Sequence, residues 1–387
     1  LPLARQHIDD VSTERFRHLT EGLRAHGLTR LADQTGLDRL AVPCMAAIRP
    51  NARTVTTHQG KGDTSEGAAF SALMEAAEYA FAETVPKGTE RHCTDALDAA
   101  GHEWLSPEAL LPRSEGLAGD RVIGWLTGYN LTSGEQLHVP RDMVALVDPE
   151  DLAELSQSTN GLAAGFDPVH ARIHGLCELI ERDAMVLWGF RNDAAAARTE
   201  VLPASFGDPT LAALCTRIDA RGVTVRLFDM TSDIGVPAIY AVMTDARSEL
   251  RHGTTSGAAC HPIAATAARK AVLEAAQTRV SMIAGVRDDI AESQYERAFS
   301  HSVDIPPSAT FRSPPNGLAT ESNPTEHLKH IFDKLMDAGL REIVTVPIGG
   351  AELGIHVEKL FVPGLEDRLT NRHWRPGRRA VRAMLRQ

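Results

Sequence analysis

One pattern constrains this chain more than any other. A seven-residue segment recurs three times: Ala72-Leu73-Met74-Glu75-Ala76-Ala77-Glu78, Gly175-Leu176-Cys177-Glu178-Leu179-Ile180-Glu181 and Ala271-Val272-Leu273-Glu274-Ala275-Ala276-Gln277. Each copy reads small, apolar, apolar, Glu, apolar, apolar, then Glu or Gln, and each lies in a stretch with helical periodicity. On an α-helix, positions i and i+3 share a face about one turn apart, so each copy presents two oxygen-bearing groups side by side. Ala, Leu, Ile and Met surround them, which makes an ordinary solvated face a poor reading. Carboxylates held in apolar surroundings need a cation. The groups are oxygen donors without clustered Cys or His, which selects a hard ion such as Mg²⁺ over zinc or copper. Mg²⁺ takes only one or two carboxylates and completes its shell with water and phosphate oxygens, so a convergence of five glutamates and a glutamine points to more than one Mg²⁺ on a polyphosphate, with ATP the expected ligand.

Cationic residues flank the same segments: Lys61 in Gln59-Gly60-Lys61-Gly62, Arg182 after Glu181, Lys270 one turn before Glu274, and Arg279 after Gln277. They are expected to neutralise phosphate oxygens. Any one of these features alone is weak, since Glu-x-x-Glu pairs are common on helices and Gly60-Lys61-Gly62 is not a P-loop. The competing reading is a buried structural ion-pair cluster in which Arg182 and Arg279 offset the glutamates.

Composition narrows the rest. The 387 residues carry 51 acidic against 40 basic side chains, a net of −11, which argues against a nucleic-acid binder. The apolar content is ample for a core, and no apolar run is long enough to span a membrane. Cys44, Cys93, Cys177, Cys215 and Cys260 are widely spaced and odd in number, as expected for reduced thiols in a cytoplasm. Cys177 reads as a small core residue rather than a nucleophile.

Along the chain the residues predict a mixed α/β protein. Helices are expected over Thr13–Arg24, from Thr64 or Ser65 to Thr84, over Pro168–Phe190, Leu211–Arg221, Ile263–Gly285 and Glu326–Ala338. Strands are expected at Leu28–Ala32, Ala41–Ile48, Val223–Phe228, Ala238–Met243, Ile343–Val346 and Ile355–Val362. Residues 86–150 read as a hairpin-rich insertion, with Arg121–Gly128 and Gln136–Val139 paired across Thr132-Ser133-Gly134-Glu135. Asn160–Gly165 reads as a small-residue loop, Gly253–Gly257 as a turn and residues 300–324 as a Pro-rich loop. The whole is expected to be one intertwined unit, 1–365, followed by a basic tail, 366–387, read mainly as a solvated helical or frayed terminus and alternatively as a clamp for phosphates or an acidic peptide.

With these residues in view, the chain resembles the YcaO domain family over nearly its whole length. The resemblance rests on Thr29-Arg30, Thr35-Gly36-Leu37-Asp38-Arg39, Arg49-Pro50-Asn51-Ala52, Gln59–Gly62, Ser71 with Glu75 and Glu78, Ser158–Gly165, Glu178–Ala184, Glu274–Arg279, Arg287-Asp288-Asp289 and Val362–Glu366. It implies a fold of β-sheets packed by long helices that carry an ATP and Mg²⁺ site, used to phosphorylate a peptide backbone amide oxygen. A Cys, Ser or Thr side chain then gives an azoline, a sulfur source a thioamide, and an amine an amidine. By the same resemblance Lys61, Ser71, Asn160, Arg182, Gln277 and Arg279 are expected at the nucleotide, and Glu75, Glu78, Glu178, Glu181 and Glu274 at the metal. The chain is similar to stand-alone members that work with a TfuA-like partner in thioamide formation. The implied partners are a ribosomally made precursor peptide or protein, with a TfuA-like or separate leader-binding protein, and without nucleic acid or membrane; a homodimer is one assembly the resemblance allows. Azoline cyclodehydration or amidine macrocyclisation, and from another class a non-catalytic leader-binding scaffold, are the alternatives.

Overall fold

A computed structural model of the chain describes residues 10–385 apart from 89, 113–115, 246–252, 286–304 and 307. Arg287-Asp288-Asp289, Pro307 and Arg386 lie outside the described residues.

Among the described residues, three antiparallel sheets build the molecule. The first joins β1 (Arg30–Asp33), β2 (Cys44–Ile48) and β3 (Thr57–Lys61) in chain order. It follows α1 (Asp10–Ala25) and is covered by α2 (Ser65–Glu83). The second sheet runs β4 (Glu90–His92), β5 (Ile123–Asn130), β12 (Val344–Gly349), β13 (His356–Phe361), β7 (Leu162–Gly165), with β6 (Gln136–Pro140) paired to β5. The short helices α3 (Thr94–Ala100) and α4 (Arg141–Val144) belong to this hairpin region. The third sheet is β11 (Thr254–Cys260), β10 (Ala238–Asp245), β9 (Val223–Asp229), β8 (Glu200–Val201). Between and over the sheets lie α5 (Pro168–Trp188), α6 (Asp193–Ala197), α7 (Pro209–Asp219), α8 (Ala264–Ala284), α9 (Pro324–Asp337) and α10 (Arg378–Met384).

Local chemistry explains where the two capped carboxylate helices begin. At α2 the Thr64 hydroxyl accepts from Gly67 N at 3.1 Å, satisfying one of the orphan N–H groups of the first turn. Asp167 does the same for His170 N at α5, where Pro168 supplies a preset φ at the first helical position. Each motif helix then lies on its own apolar cluster. Helix α2 packs with Leu19, Leu23 and Ile355, α5 with Ile331, Leu335 and Leu360, and α8 with Leu214 and Ile218 of α7 and Leu227 and Ile239 of the third sheet.

The structure corrects several of the sequence expectations. Leu162–Gly165 is strand β7, paired with β13 and buried along its length, where the sequence reads as a loop. Gly253–Gly257 is largely the start of β11, and Gln59-Gly60-Lys61 is the end of β3. These strands hide because both faces are covered, so they lack the polar alternation by which a half-exposed strand is recognised. The basic tail is not a frayed terminus either. Arg379 donates to both oxygens of the fully buried Asp183 at 2.8 Å and reaches Asp233 at 2.6 Å. Glu366, also buried, accepts from Gly377 N, Ala380 N and Trp374 Nε1. The segment is therefore docked on α5, at the residue next to Arg182. No described helix is long and apolar enough to cross a membrane.

Candidate functional site

Each carboxylate helix is seated against a strand by a glycine. A Cβ on Gly60 of β3 would lie 2.1 Å from Ala68 O and 2.2 Å from Ala72 N of α2. One on Gly165 of β7 would lie 2.4 Å from Ala171 N of α5, and one on Gly257 of β11 would lie 2.4 Å from Ala275 N of α8. Only a residue without a side chain permits such approach of strand and helix backbones.

That closeness lets strand N–H groups reach helix carboxylates. Gln59 N donates to Glu75 Oε2 at 3.1 Å, Ala164 N to Glu78 Oε1 at 2.7 Å, and Ala258 N to Glu274 Oε1 at 3.3 Å. Each bond orients one carboxylate oxygen. Lys61 Nζ meets Glu274 Oε2 at 2.8 Å, and Arg182 lies 3.8 Å from Glu178. Gln277 Nε2 donates to Gln59 O at 3.2 Å, which joins the third motif helix to the first sheet.

Mutual repulsion and burial mark these groups as one site. Burial, with Glu178 and Glu75 adding to it against the Ala164 hydrogen bond, holds Glu78 well above the usual carboxylate range. Burial first and Glu274 next push Glu181 up to about 8, against the opposing charge of Arg182. Burial works against the Lys61 charge, but Glu274, Glu75 and Glu181 outweigh it and keep its pKa above the ordinary lysine value. Acids from α2, α5 and α8 thus feel one another across the fold.

Three of the residues expected at the nucleotide each carry a buried polar atom without a hydrogen-bond partner among the described residues: Asn160 Oδ1, Gln277 Oε1 and Arg182 Nε. Orphaned buried polar atoms are costly and call for a ligand. Among the described residues no group of three or more His, Cys, Asp or Glu side chains is arranged to hold a metal by itself. A Mg²⁺ ion does not require one, because it takes one or two carboxylates and fills its shell from phosphate and water. The hard oxygen donors and the orphaned atoms fit a Mg²⁺-bound nucleotide.

Of the expected residues, Lys61, Glu75, Glu78, Glu178, Glu181, Arg182, Glu274 and Gln277 are brought together; Ser71 lies one turn before Glu75 on α2, and Asn160 precedes β7. Arg279 is placed differently. Its guanidinium is buried and committed to Asp38 at 2.8 Å and Asp245 at 2.9 Å, so it offsets those two acids rather than the glutamates. Sequence reasoning missed Lys359, a fully buried lysine on β13 whose Nζ donates to Ser158 O in the segment leading to Asn160. Burial lowers its pKa to about 8, opposed by Glu178 and Asp367. The signal was present: Glu358 and Lys359 stand consecutively in a strand that is otherwise largely apolar and buried on both faces. A cavity of about 600 Å³ lined by His92, His102 and His138 lies in the hairpin region and shares no residue with this site.

The fold and the site define an ATP- and Mg²⁺-binding protein. The sequence matches the family described as YcaO cyclodehydratase, ATP- and Mg²⁺-binding, over residues 59–366, and the chain belongs to that family. It is 34% identical over 385 residues to an uncharacterized protein in the tfuA 3′ region of Rhizobium leguminosarum bv. trifolii, covering 95% of this chain and 90% of the relative. It is 32% identical to an uncharacterized protein of Methanothermobacter thermautotrophicus, covering 92% and 94%. Among solved structures, YcaO from Methanopyrus kandleri bound with AMPPCP and Mg²⁺ is similar with a TM-score of 0.70 at 22% identity, covering 92% of this chain and 91% of that one. A heterocyclase in complex with substrate and cofactor is similar with a TM-score of 0.77 at 22% identity, covering 95% of this chain; the chain spans 53% of its length.

Proposed function

We propose that this protein uses ATP and Mg²⁺ to activate a backbone amide of a ribosomally made peptide or protein, and that the product is a thioamide formed with a sulfur donor and a TfuA-like partner. The convergence of acids from three helices beside the orphaned Gln277 and Arg182 atoms supports the activation step. The relative in a tfuA 3′ region supports the choice of product. ATP, when bound, supplies the phosphoryl group that turns the amide oxygen into a leaving group. Glu75, Glu78, Glu178, Glu181 and Glu274 would hold Mg²⁺, while Lys61, Ser71, Asn160, Arg182 and Gln277 would orient the nucleotide. The chain's contribution is positioning and charge neutralisation. Five free thiols fit a cytoplasmic setting.

The family's description as a cyclodehydratase favours a second reading, ring closure on Cys, Ser or Thr. Purified protein with partner, peptide and ATP separates the two: a gain of about 16 Da that requires sulfide is a thioamide, and a loss of about 18 Da without sulfide is a ring. Neither mass change under any of these conditions overturns amide activation.

A further inference from the structure

A chain of hydroxyl groups joins the C-terminal segment to the residues that precede β7. Thr370 Oγ1 donates to Asp367 Oδ2, and Thr370 N donates to Asp367 Oδ1 at 3.0 Å. With its proton committed there, the Thr370 hydroxyl accepts from Ser158 Oγ at 2.6 Å, across 212 positions of the chain. Ser158 Oγ in turn accepts from Asn160 N at 3.0 Å. The donors all run one way, from the Asn160 peptide to the Asp367 carboxylate, and the charge at the end strengthens the bonds behind it.

Strand β13 holds the same stretch from another side. Lys359 Nζ donates to Ser158 O at 2.5 Å, and its charge faces Glu178 and Asp367, which sets the stretch beside the motif acids. Leu360 N donates to Gly161 O at 2.8 Å. Gly161 has a φ of +78°, and a Cβ on it would lie 2.4 Å from Leu360 O, so only glycine lets the turn rest on the strand. The backbone on both sides of Asn160 is thus fixed. Two side-chain atoms of the stretch, Asn160 Oδ1 and Gln157 Nε2, are nevertheless buried without a hydrogen-bond partner among the described residues. A rigidly held segment that leaves buried polar atoms unpaired offers them to a ligand.

We propose that Thr370 and Asp367 are positioning residues of the nucleotide site: through Ser158 they set the Asn160 peptide and, with Lys359 on the same stretch, hold the Asn160 amide where the nucleotide meets it. This rests on the proposed contact of Asn160 with the nucleotide. The C-terminal segment then serves the site as well as bracing α5. Its docking does not depend on the Thr370 hydroxyl. Glu366 accepts from Gly377 N at 3.1 Å and Ala380 N at 2.9 Å, Asn371 Nδ2 donates to Ala109 O at 2.9 Å, and Arg375 Nη2 donates to Leu111 O at 2.9 Å. Loss of the relay is therefore separable from loss of docking.

The test titrates Mg²⁺-AMPPCP into the full chain by calorimetry. Asn160→Ala is expected to weaken binding about tenfold or more, and Thr370→Val about three- to tenfold, the range set by loss of one hydrogen bond in such a chain. Thr370→Ser keeps the hydroxyl and is expected to recover most of that loss. Thr370→Val placed in the Asn160→Ala background is expected to weaken binding no further, because its effect passes through Asn160. Where Thr370→Val does not fold, Ser158→Ala breaks the same chain at its other end and takes its place. Unchanged affinity in Thr370→Val, no recovery in Thr370→Ser, or losses that add in the double variant overturns the relay while leaving Asn160 at the nucleotide. Unchanged affinity in Asn160→Ala overturns that contact, and the relay with it. An unaltered protein that takes up no Mg²⁺-AMPPCP overturns the nucleotide site itself.

Discussion

Lys61 at the end of β3 and Glu274 on α8 are 213 residues apart in the chain, and their charged atoms meet at 2.8 Å. Both side chains are about a third exposed, 28% and 36%, so the pair contributes little to stability, of order 0–1 kcal/mol. Its consequence is for binding. Lys61→Met is expected to leave the urea midpoint nearly unchanged and to weaken Mg²⁺-ATP binding about tenfold by calorimetry, since the cation proposed to face phosphate is lost. A large stability loss with intact binding would make the pair structural.

Magnesium affinity is expected to depend on pH through Glu181. Its pKa of about 8 means the free protein holds a proton there at neutral pH, and a metal ligand must release it. Affinity therefore rises with pH up to about 8 and levels off above, with up to about one proton released per binding event at neutral pH. Calorimetry in two buffers of different ionisation enthalpy reads the proton directly. Glu181→Gln should lower the release, leaving the part that comes from Glu78 and Glu178, whose pKa values burial also raises.

Arg379 and Asp183 form a buried pair, 10% and 0% exposed at the side chain. Arg379→Ala strands the Asp183 carboxylate and is expected to cost about 3–5 kcal/mol in denaturant unfolding. The double variant with Asp183→Ala should cost less than the sum of the single changes. Because Asp183 adjoins Arg182, Mg²⁺-ATP affinity should fall in the single variant even where the protein stays folded.

Gly60→Ala is expected to destabilise by about 1–3 kcal/mol or more, because the atoms its Cβ meets are α2 backbone and cannot swing aside. Gly36→Ala meets nothing within 4 Å and serves as the control. Similar thermal midpoints for the two would contradict the close packing of β3 and α2.

The parts of this architecture legible in the sequence were those written locally. The start of α2 at Thr64 or Ser65, the i, i+3 acids and the β5–β6 hairpin each depend on neighbours within a few residues, and each stands where the pattern put it. The pairs that were missed are long-range. Arg379 finds Asp183 across 196 positions and Arg279 finds Asp38 across 241, and nothing in a local window separates a docked arginine from a solvated one. Strands β7 and β11 were hidden for another reason: small residues buried on both faces carry no alternation to read.

Gly60, Gly165 and Gly257 give this site a property its chemistry alone would not. Since main chain rests on main chain at all three seats, the spacing among the acids is set independently of the acids themselves. Ligating residues can be exchanged one at a time to vary charge or ion preference while their scaffold keeps its dimensions.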